Sequence, residues 1–237
     1  MPVDYFGEDV AVRYDDDAVM FDPAVVDPTV DLLAELAGDG AALEFGIGTG
    51  RIAVPLAARG VPVHGIDLSQ AMVARLRVKP GAEQIAITIG DFATTRVEGT
   101  FSLVYLVFNT IGNLTTQSEQ VACFENAARH LHPGGYFVIE LGFSGGRRGS
   151  LSVFDLSDTH VGVDEYDAAT QRLVSHHFSL VDGRWERLSI PFRAVGPGEL
   201  DLMARMAGMS LRERWGGWTR EPFTSQSSKH ISVWEKT

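Results

Sequence analysis

Between residues 41 and 143 short apolar runs alternate with amphipathic stretches, and this alternation limits the possible folds more than any other feature. "AALEFGI" (41–47), "VPVHGIDL" (61–68), "QIAITIG" (84–90), "FSLVYLVF" (101–108) and "YFVIELGF" (136–143) have the length and composition of buried strands. Helical patterns separate them. "RIAVPLAARG" stops at Gly60, and "LSQAMVARLRV" starts behind Ser69, a good N-cap. "TTQSEQVACFENAARHL" has Thr116 and Glu119 at capping-box spacing and Val121, Phe124, Ala128 and Leu131 on one face, before "HPGG" ends it. Strands alternating with helices of this length predict βαβ units, a parallel sheet and right-handed crossovers.

Two more helices are predicted ahead of this core, around 8–21 and 28–37. Behind it the pattern changes. "THVGVDEYD", "QRLVSHHFSLVDG" and "RWERLSIPFRAV" read as three antiparallel strands turning at "DAAT" and "VDG". "PGELDLMARMAG" reads as a helix with Leu200, Met203 and Met206–Ala207 inward, and "SLRERWGGW" and "KHISVWEK" as two last strands. The expected organisation is a single domain over 1–237: N-terminal helices capping the site (1–40), a βαβ core (41–143), an inserted β-meander lid (158–195), and a last helix and strand pair (196–237).

Composition narrows the function. With 45% hydrophobic and 22% charged residues the chain is of the ordinary globular kind, and no apolar run approaches the ~20 residues that span a bilayer. "MPVDYFGEDV" lacks the basic-then-apolar pattern of a signal peptide. A single cysteine, Cys123, permits no internal disulfide and suits a reducing cytoplasm; its place on a helix reads as a buried thiol. A net charge of −11 argues against nucleic acid and membrane surfaces as partners. The only concentrated positive feature is "GGRRGS" at 145–150. A small molecule is the expected partner, and nothing sets the oligomeric state.

The chemistry concentrates in "LEFGIGTGR". Gly46, Gly48 and Gly50 follow a strand and precede a helix, which brings backbone close to a ligand at the carboxyl edge of the sheet. A dinucleotide fingerprint spaces its glycines G-x-G-x-x-G, but here Arg51 stands at the third position. Glu44, at the end of the strand, would repel a pyrophosphate and suits a ligand bearing a cationic amine. In these residues the chain resembles motif I of class I S-adenosylmethionine-dependent methyltransferases. The resemblance implies a doubly wound, seven-stranded Rossmann-like α/β sheet, mostly parallel with the last strand antiparallel. It also implies S-adenosyl-L-methionine as cofactor, with Glu44 and Arg51 answering the methionine ammonium and carboxylate.

Companion motifs follow in the family's order. Asp67 ends the second strand, placed to accept from both ribose hydroxyls, with Leu68 and Met72 beside the adenine. By resemblance, Asp91 accepts from the adenine amine, Phe92 shields the ring, and Val107 and Phe108 flank the cofactor. A helix N-cap or turn role is the alternative for either acid. The match extends to small-molecule N-methyltransferases that act on amino sugars in antibiotic assembly, through the "YD" of the first helix, "FNTIG-x-L" after the fourth strand and the strand insertion.

Methyl transfer needs alignment of acceptor and methyl and exclusion of water, and a base only where the acceptor must lose a proton. The expected catalytic candidates are His176, Asn113 and Tyr14. Alternation along "LVSHHFSLV" puts Val174, His176, Phe178 and Leu180 on one face, expected inward, with a core histidine as the alternative for His176. Asn109 and Asn113 could orient a polar acceptor or simply form a turn. Trp215 and Trp218 line the substrate mouth or pack the hairpin. No metal site emerges. The expected activity is metal-independent methylation of O or N of a small molecule, against the alternative of a silent cofactor-binding partner or sensor.

Overall fold

The structure, a computed structural model, describes residues 3–16, 19–142 and 151–237. The basic stretch at 145–150 therefore lies outside the described residues, as does the last residue of the run at 136–143.

The main sheet has the order β3-β2-β1-β4-β5-β11-β10. Its parallel core is β1 (Ala42–Phe45), β2 (Val63–Asp67), β3 (Ala86–Ile89), β4 (Phe101–Leu106) and β5 (Leu131–Gly142). At the far edge β11 (Lys229–Lys236) runs antiparallel to both β5 and β10 (Met209–Trp215), so it alone opposes the rest. The chain reverses direction between β1 and β4, and the carboxyl ends of these strands open a crevice there.

Helices cover both faces of the sheet. On one side α2 (Pro23–Ala37) and α3 (Ala53–Ala58) bury Val30, Leu33 and Leu56 against Leu103, Tyr105 and Val138. On the other, α5 (Gln117–His130) and α6 (Pro197–Met206) bury Phe124, Leu200 and Met203 against Leu43, Phe45 and Phe137. α4 (Gln70–Arg77) follows β2, and Ser69 caps it as expected. The capping box of Thr116 and Glu119 is complete at the start of α5. Cys123 is fully buried in that helix. At the end of α6, Met206 is exposed rather than inward, because the inward stripe runs through Leu200, Met203 and Ala204.

The N-terminal elements depart from expectation. α1 spans only Glu8–Tyr14. Asp15, just past its end, is drawn off by Thr49 Oγ1 (2.6 Å) and Lys79 Nζ (2.6 Å). α2 begins at Pro23, not near 28, because Asp22 caps the Ala24 amide and Pro23 needs no amide partner at the first turn; Pro28 lies inside the helix.

The insertion is a four-stranded antiparallel sheet, one strand larger than predicted. β6 (Leu151–Leu156), β7 (His160–Asp167), β8 (Arg172–Val181) and β9 (Arg184–Arg193) pair in sequence order. The β8–β9 turn, Asp182–Gly183, has positive φ at both residues, the primed two-residue hairpin turn. β6 escaped detection because its apolar residues are exposed, so it lacks the half-buried alternation that marks a strand.

Candidate active site

The glycine turn closes the carboxyl end of β1. Gly46, Gly48 and Gly50 have φ of +74°, +55° and +80°. A Cβ on Gly46 would sit 2.7 Å from Thr110 Cγ2, and one on Gly50 would sit 2.8 Å from Leu76 Cδ1. Met72, buried behind Ser69, places its Cε 3.5 Å from the corresponding point on Gly48. The turn is thus pressed between the loop after β4 and α4, and only backbone fits its inner side.

Asp67 anchors this cradle. Its Oδ2 accepts from the Gly48 amide (2.6 Å) and its Oδ1 from the Ser69 amide (2.8 Å). Each oxygen keeps a further lone pair for a ligand hydroxyl. Burial raises its pKa, opposed by the amides of Ser69, Gly48 and Leu68. Leu68 follows it, half-buried. Asp91 turns the chain after β3 with Oδ1 on the Ala93 amide (2.8 Å). Phe92 is buried on Phe45, ring centroids 5.8 Å apart, with its Cε1 edge toward Gly46.

Glu44 is buried under the turn and takes a hydrogen bond from the Tyr105 hydroxyl (2.9 Å) and another from the Ala53 amide. Burial pushes its pKa up to about 8, against the pull of Tyr105 and Arg51. Arg51 lies over the Phe108 ring, 4.8 Å from its centroid, and reaches the Met20 carbonyl at 3.4 Å.

α1 is strapped across this edge. Ser69 Oγ donates to the Phe6 carbonyl (2.6 Å) and Arg75 to the Val12 carbonyl (3.4 Å). Tyr14 consequently points inward. Desolvation raises the pKa of its phenol, and Arg51, Asp67, Asp15 and Glu44 all lie within electrostatic reach. The structure so brings Tyr14, Glu44, Arg51 and Asp67 to one place, although they come from three separate stretches of chain.

The loop after β4 forms the opposite wall. Val107 is buried, its carbonyl taking the Thr110 hydroxyl at 2.7 Å. Phe108 and Asn109 both have positive φ, 57° and 63°, an uncommon conformation for a bulky residue. Glu140, a buried acid in the apolar run of β5, holds that loop: it accepts from the Phe108 amide (3.0 Å), Trp218 Nε1 (3.1 Å) and Lys229 Nζ (2.8 Å). Its lone charge within "FVIELG" was the sequence signal for this role. Asn109 Oδ1 caps the Gly142 amide. Asn113 Oδ1 is buried without a hydrogen-bond partner. Trp215 and Trp218 are buried in the hairpin.

His176 is a correction. Phe192, opposite Leu173, packs on Gly112 of the loop after β4, and Glu186, opposite Ser179, pairs with Arg13 of α1 at 3.2 Å. The face turned to the body is therefore that of Leu173, Ser175, His177 and Ser179. His176 lies on the other face, with Nδ1 2.8 Å from Ser189 Oγ and Nε2 3.4 Å from the exposed Glu165. The alternation rule places the more apolar face of a strand inward, whereas here the docking of β9 through Phe192 and Glu186 turns the mixed face to the body. Among the described residues no three His, Cys, Asp or Glu side chains converge to hold a metal ion, and no helix is long and apolar enough to cross a membrane.

The doubly wound sheet thus carries a glycine turn with an acid before it and an acid ending the next strand. Residues 42–135 match the family described as "Methyltransferase domain". Over 99% of this chain and 100% of the other, the fold superposes on the CcbJ methyltransferase of Streptomyces caelestis with a TM-score of 0.89 and 33% identity. The chain is 28% identical to a cypemycin N-terminal methyltransferase of a Streptomyces species, over 92% of this chain and all of that one. It is 29% identical to the dTDP-3-amino-3,4,6-trideoxy-alpha-D-glucopyranose N,N-dimethyltransferase of Streptomyces venezuelae, over 57% of this chain and 53% of that one. The chain belongs to the S-adenosylmethionine-dependent methyltransferase family, and neighbours of the same fold hold S-adenosylmethionine or S-adenosylhomocysteine.

Proposed function

We propose that this methyltransferase acts in the cytoplasm on a nitrogen atom of a small-molecule amine of secondary metabolism. The observation that carries this reading is the character of the acceptor side, where the buried, unpartnered Asn113 Oδ1 and a sheet face bearing Asp164, His177 and Glu186 favour a protonated, hydrogen-bond-donating group. The nitrogen acceptors named for two relatives agree with it.

The residues present fit the cofactor. Asp67 would accept from the ribose hydroxyls, Asp91 and Phe92 would meet the adenine with Leu68 and Met72, and Gly46, Gly48 and Gly50 would let backbone approach the methionine half. Arg51 would answer its carboxylate, with Glu44 and Tyr14 near its ammonium and Val107 and Phe108 as wall. When bound, S-adenosylmethionine supplies a methyl already activated on a sulfonium. The chain's task is then to align the acceptor, through Asn113 and Tyr14, and to keep water out under α1 and the four-stranded sheet.

Calorimetry with S-adenosylhomocysteine tests the cradle. Asp67→Ala should weaken binding at least tenfold, through loss of about 1.5–3 kcal/mol of charge-assisted hydrogen bonding; unchanged affinity would remove Asp67 from the ribose. Labelled-methyl transfer to a panel of amino sugars, a free peptide N-terminus and their hydroxyl analogues tests the acceptor. Transfer to hydroxyls alone would overturn the amine reading.

A further inference from the structure

We propose that His177 takes the acceptor's proton and that His160 and Asp155 are positioning residues that fix its tautomer and lead the charge toward solvent; the inference rests on the amine-methyltransferase reading above. The three side chains lie in series. Asp155 Oδ2 is 2.5 Å from His160 Nδ1, and His160 Nε2 is 3.2 Å from His177 Nδ1. His177 Nε2 then faces Ser175 Oγ at 3.5 Å, while that hydroxyl donates to Asp164 Oδ1 at 2.8 Å.

The relay requires one proton arrangement, in which both imidazoles are neutral. The carboxylate of Asp155, whose pKa His160 lowers, can only accept, so His160 carries its proton on Nδ1. His160 Nε2 is then an acceptor, and His177 must donate to it from Nδ1. The proton of Ser175 is committed to Asp164, so no donor reaches His177 Nε2 from that side. A neutral imidazole is left with its basic lone pair facing away from the dyad.

The His177 ring lies between the two points at which this sheet is anchored to the body. On the face turned to the body, β9 is anchored at Glu186 to Arg13 and at Phe192 to Gly112. These points are six residues apart, about 20 Å along a strand. Leu188, the cross-strand partner of His177, falls between them, so His177 spans the gap between α1 and the loop after β4. The other partner of His177 is Gly162, where a Cβ would lie 2.2 Å from Phe154 Cε2. Phe154 therefore covers Gly162 and meets the His177 ring edge to face at 5.3 Å, an aromatic wall suited to an amine.

The groups on the face of His177 are Asp155 from β6, His160 and Asp164 from β7, and Glu186 of β9 paired with Arg13 of α1, while adjacent His176 lies on the opposite face. Burial, then His160, lowers the pKa of His177, keeping it neutral and able to accept at neutral pH. In the step, the acceptor N–H bond breaks, its electron pair stays on nitrogen, and the proton bonds to His177 Nε2. The Nδ1 proton of His177 can pass to His160 Nε2, whose own Nδ1 proton rests against Asp155, half-exposed to water.

Nitrogen NMR of 15N-histidine-labelled protein saturated with S-adenosylhomocysteine tests this without any acceptor. The expected result is an unprotonated Nε2 on His177 at neutral pH, and a coupled titration of His160 and His177 that Asp155→Asn moves down by about one pH unit. A protonated Nε2, or a titration indifferent to Asp155→Asn, overturns the relay. With an amine that the wild-type protein methylates, His177→Gln should lower kcat about 100-fold at unchanged S-adenosylhomocysteine affinity, and Asp155→Asn should move the acid limb of kcat to lower pH. If only hydroxyls are methylated, the amine reading fails while the nitrogen spectra still decide the relay.

Discussion

Single residues here carry opposite responses to pH. His230 is fully buried in β11, with Nδ1 on Ser232 Oγ at 2.8 Å and Nε2 without a partner. Burial, then Arg214, lowers its pKa to about 4. Below pH 6.5 the unfolded chain binds a proton there that the folded chain refuses, so the fold loses up to about 3 kcal/mol between pH 6.5 and 4. Urea denaturation of His230→Leu should show a flatter acid dependence than the wild type over that window. Glu44 works in the other direction. Its folded pKa of about 8 exceeds the unfolded value of 4.5, so stability falls as pH rises between them. Glu44→Gln, which still accepts from Tyr105, should leave stability near its wild-type value at pH 5 and exceed it at pH 8, by thermal unfolding of the ligand-free protein. The roles of these two residues were legible to different degrees. An acid before the glycine turn was visible in "LEFG"; its bond to Tyr105, 61 positions away, was not.

At the scale of elements, the strand–turn–helix unit around β1 and α3 depends on close approach. Gly50→Ala forces a Cβ to 2.8 Å from Leu76 Cδ1 at a φ of +80°. Strain and overpacking should together cost about 2–4 kcal/mol, read by urea denaturation, with weaker S-adenosylhomocysteine binding as α4 shifts. Such a unit is readable in sequence because its signals are local: glycines, a cap and a short apolar run. The same holds for α5 and its capping box. β8 shows where local reading stops. Periodicity gave the two faces of that strand correctly but not which one looks inward, because that depends on where β9 docks. β6 shows the same for an exposed strand, whose apolar side chains have no buried face to generate alternation.

For the whole molecule, the four-stranded sheet is tied to the core by a few buried polar contacts. Arg193, at the end of β9, donates to Gln120 Oε1 of α5 (2.5 Å), to Gln171 Oε1 (2.7 Å) and to Glu199 Oε1 of α6 (2.7 Å). It is 6% exposed. Arg193→Met would leave the buried Gln120 Oε1 without its donor and should destabilise the protein by about 1–3 kcal/mol in urea. The sequence alone determined the parallel α/β core and the cofactor class, because strand length, helix caps and glycine spacing act within a few residues of chain. It also marked three of the four inserted strands. Only the tertiary structure decided that Tyr14 joins Arg51 and Asp67, that Glu140 holds the loop after β4, and that the face of His177 rather than that of His176 turns to the body. Those outcomes are set by packing between segments far apart in sequence, where a single rotation of one sheet exchanges its two faces and no local pattern records which was chosen.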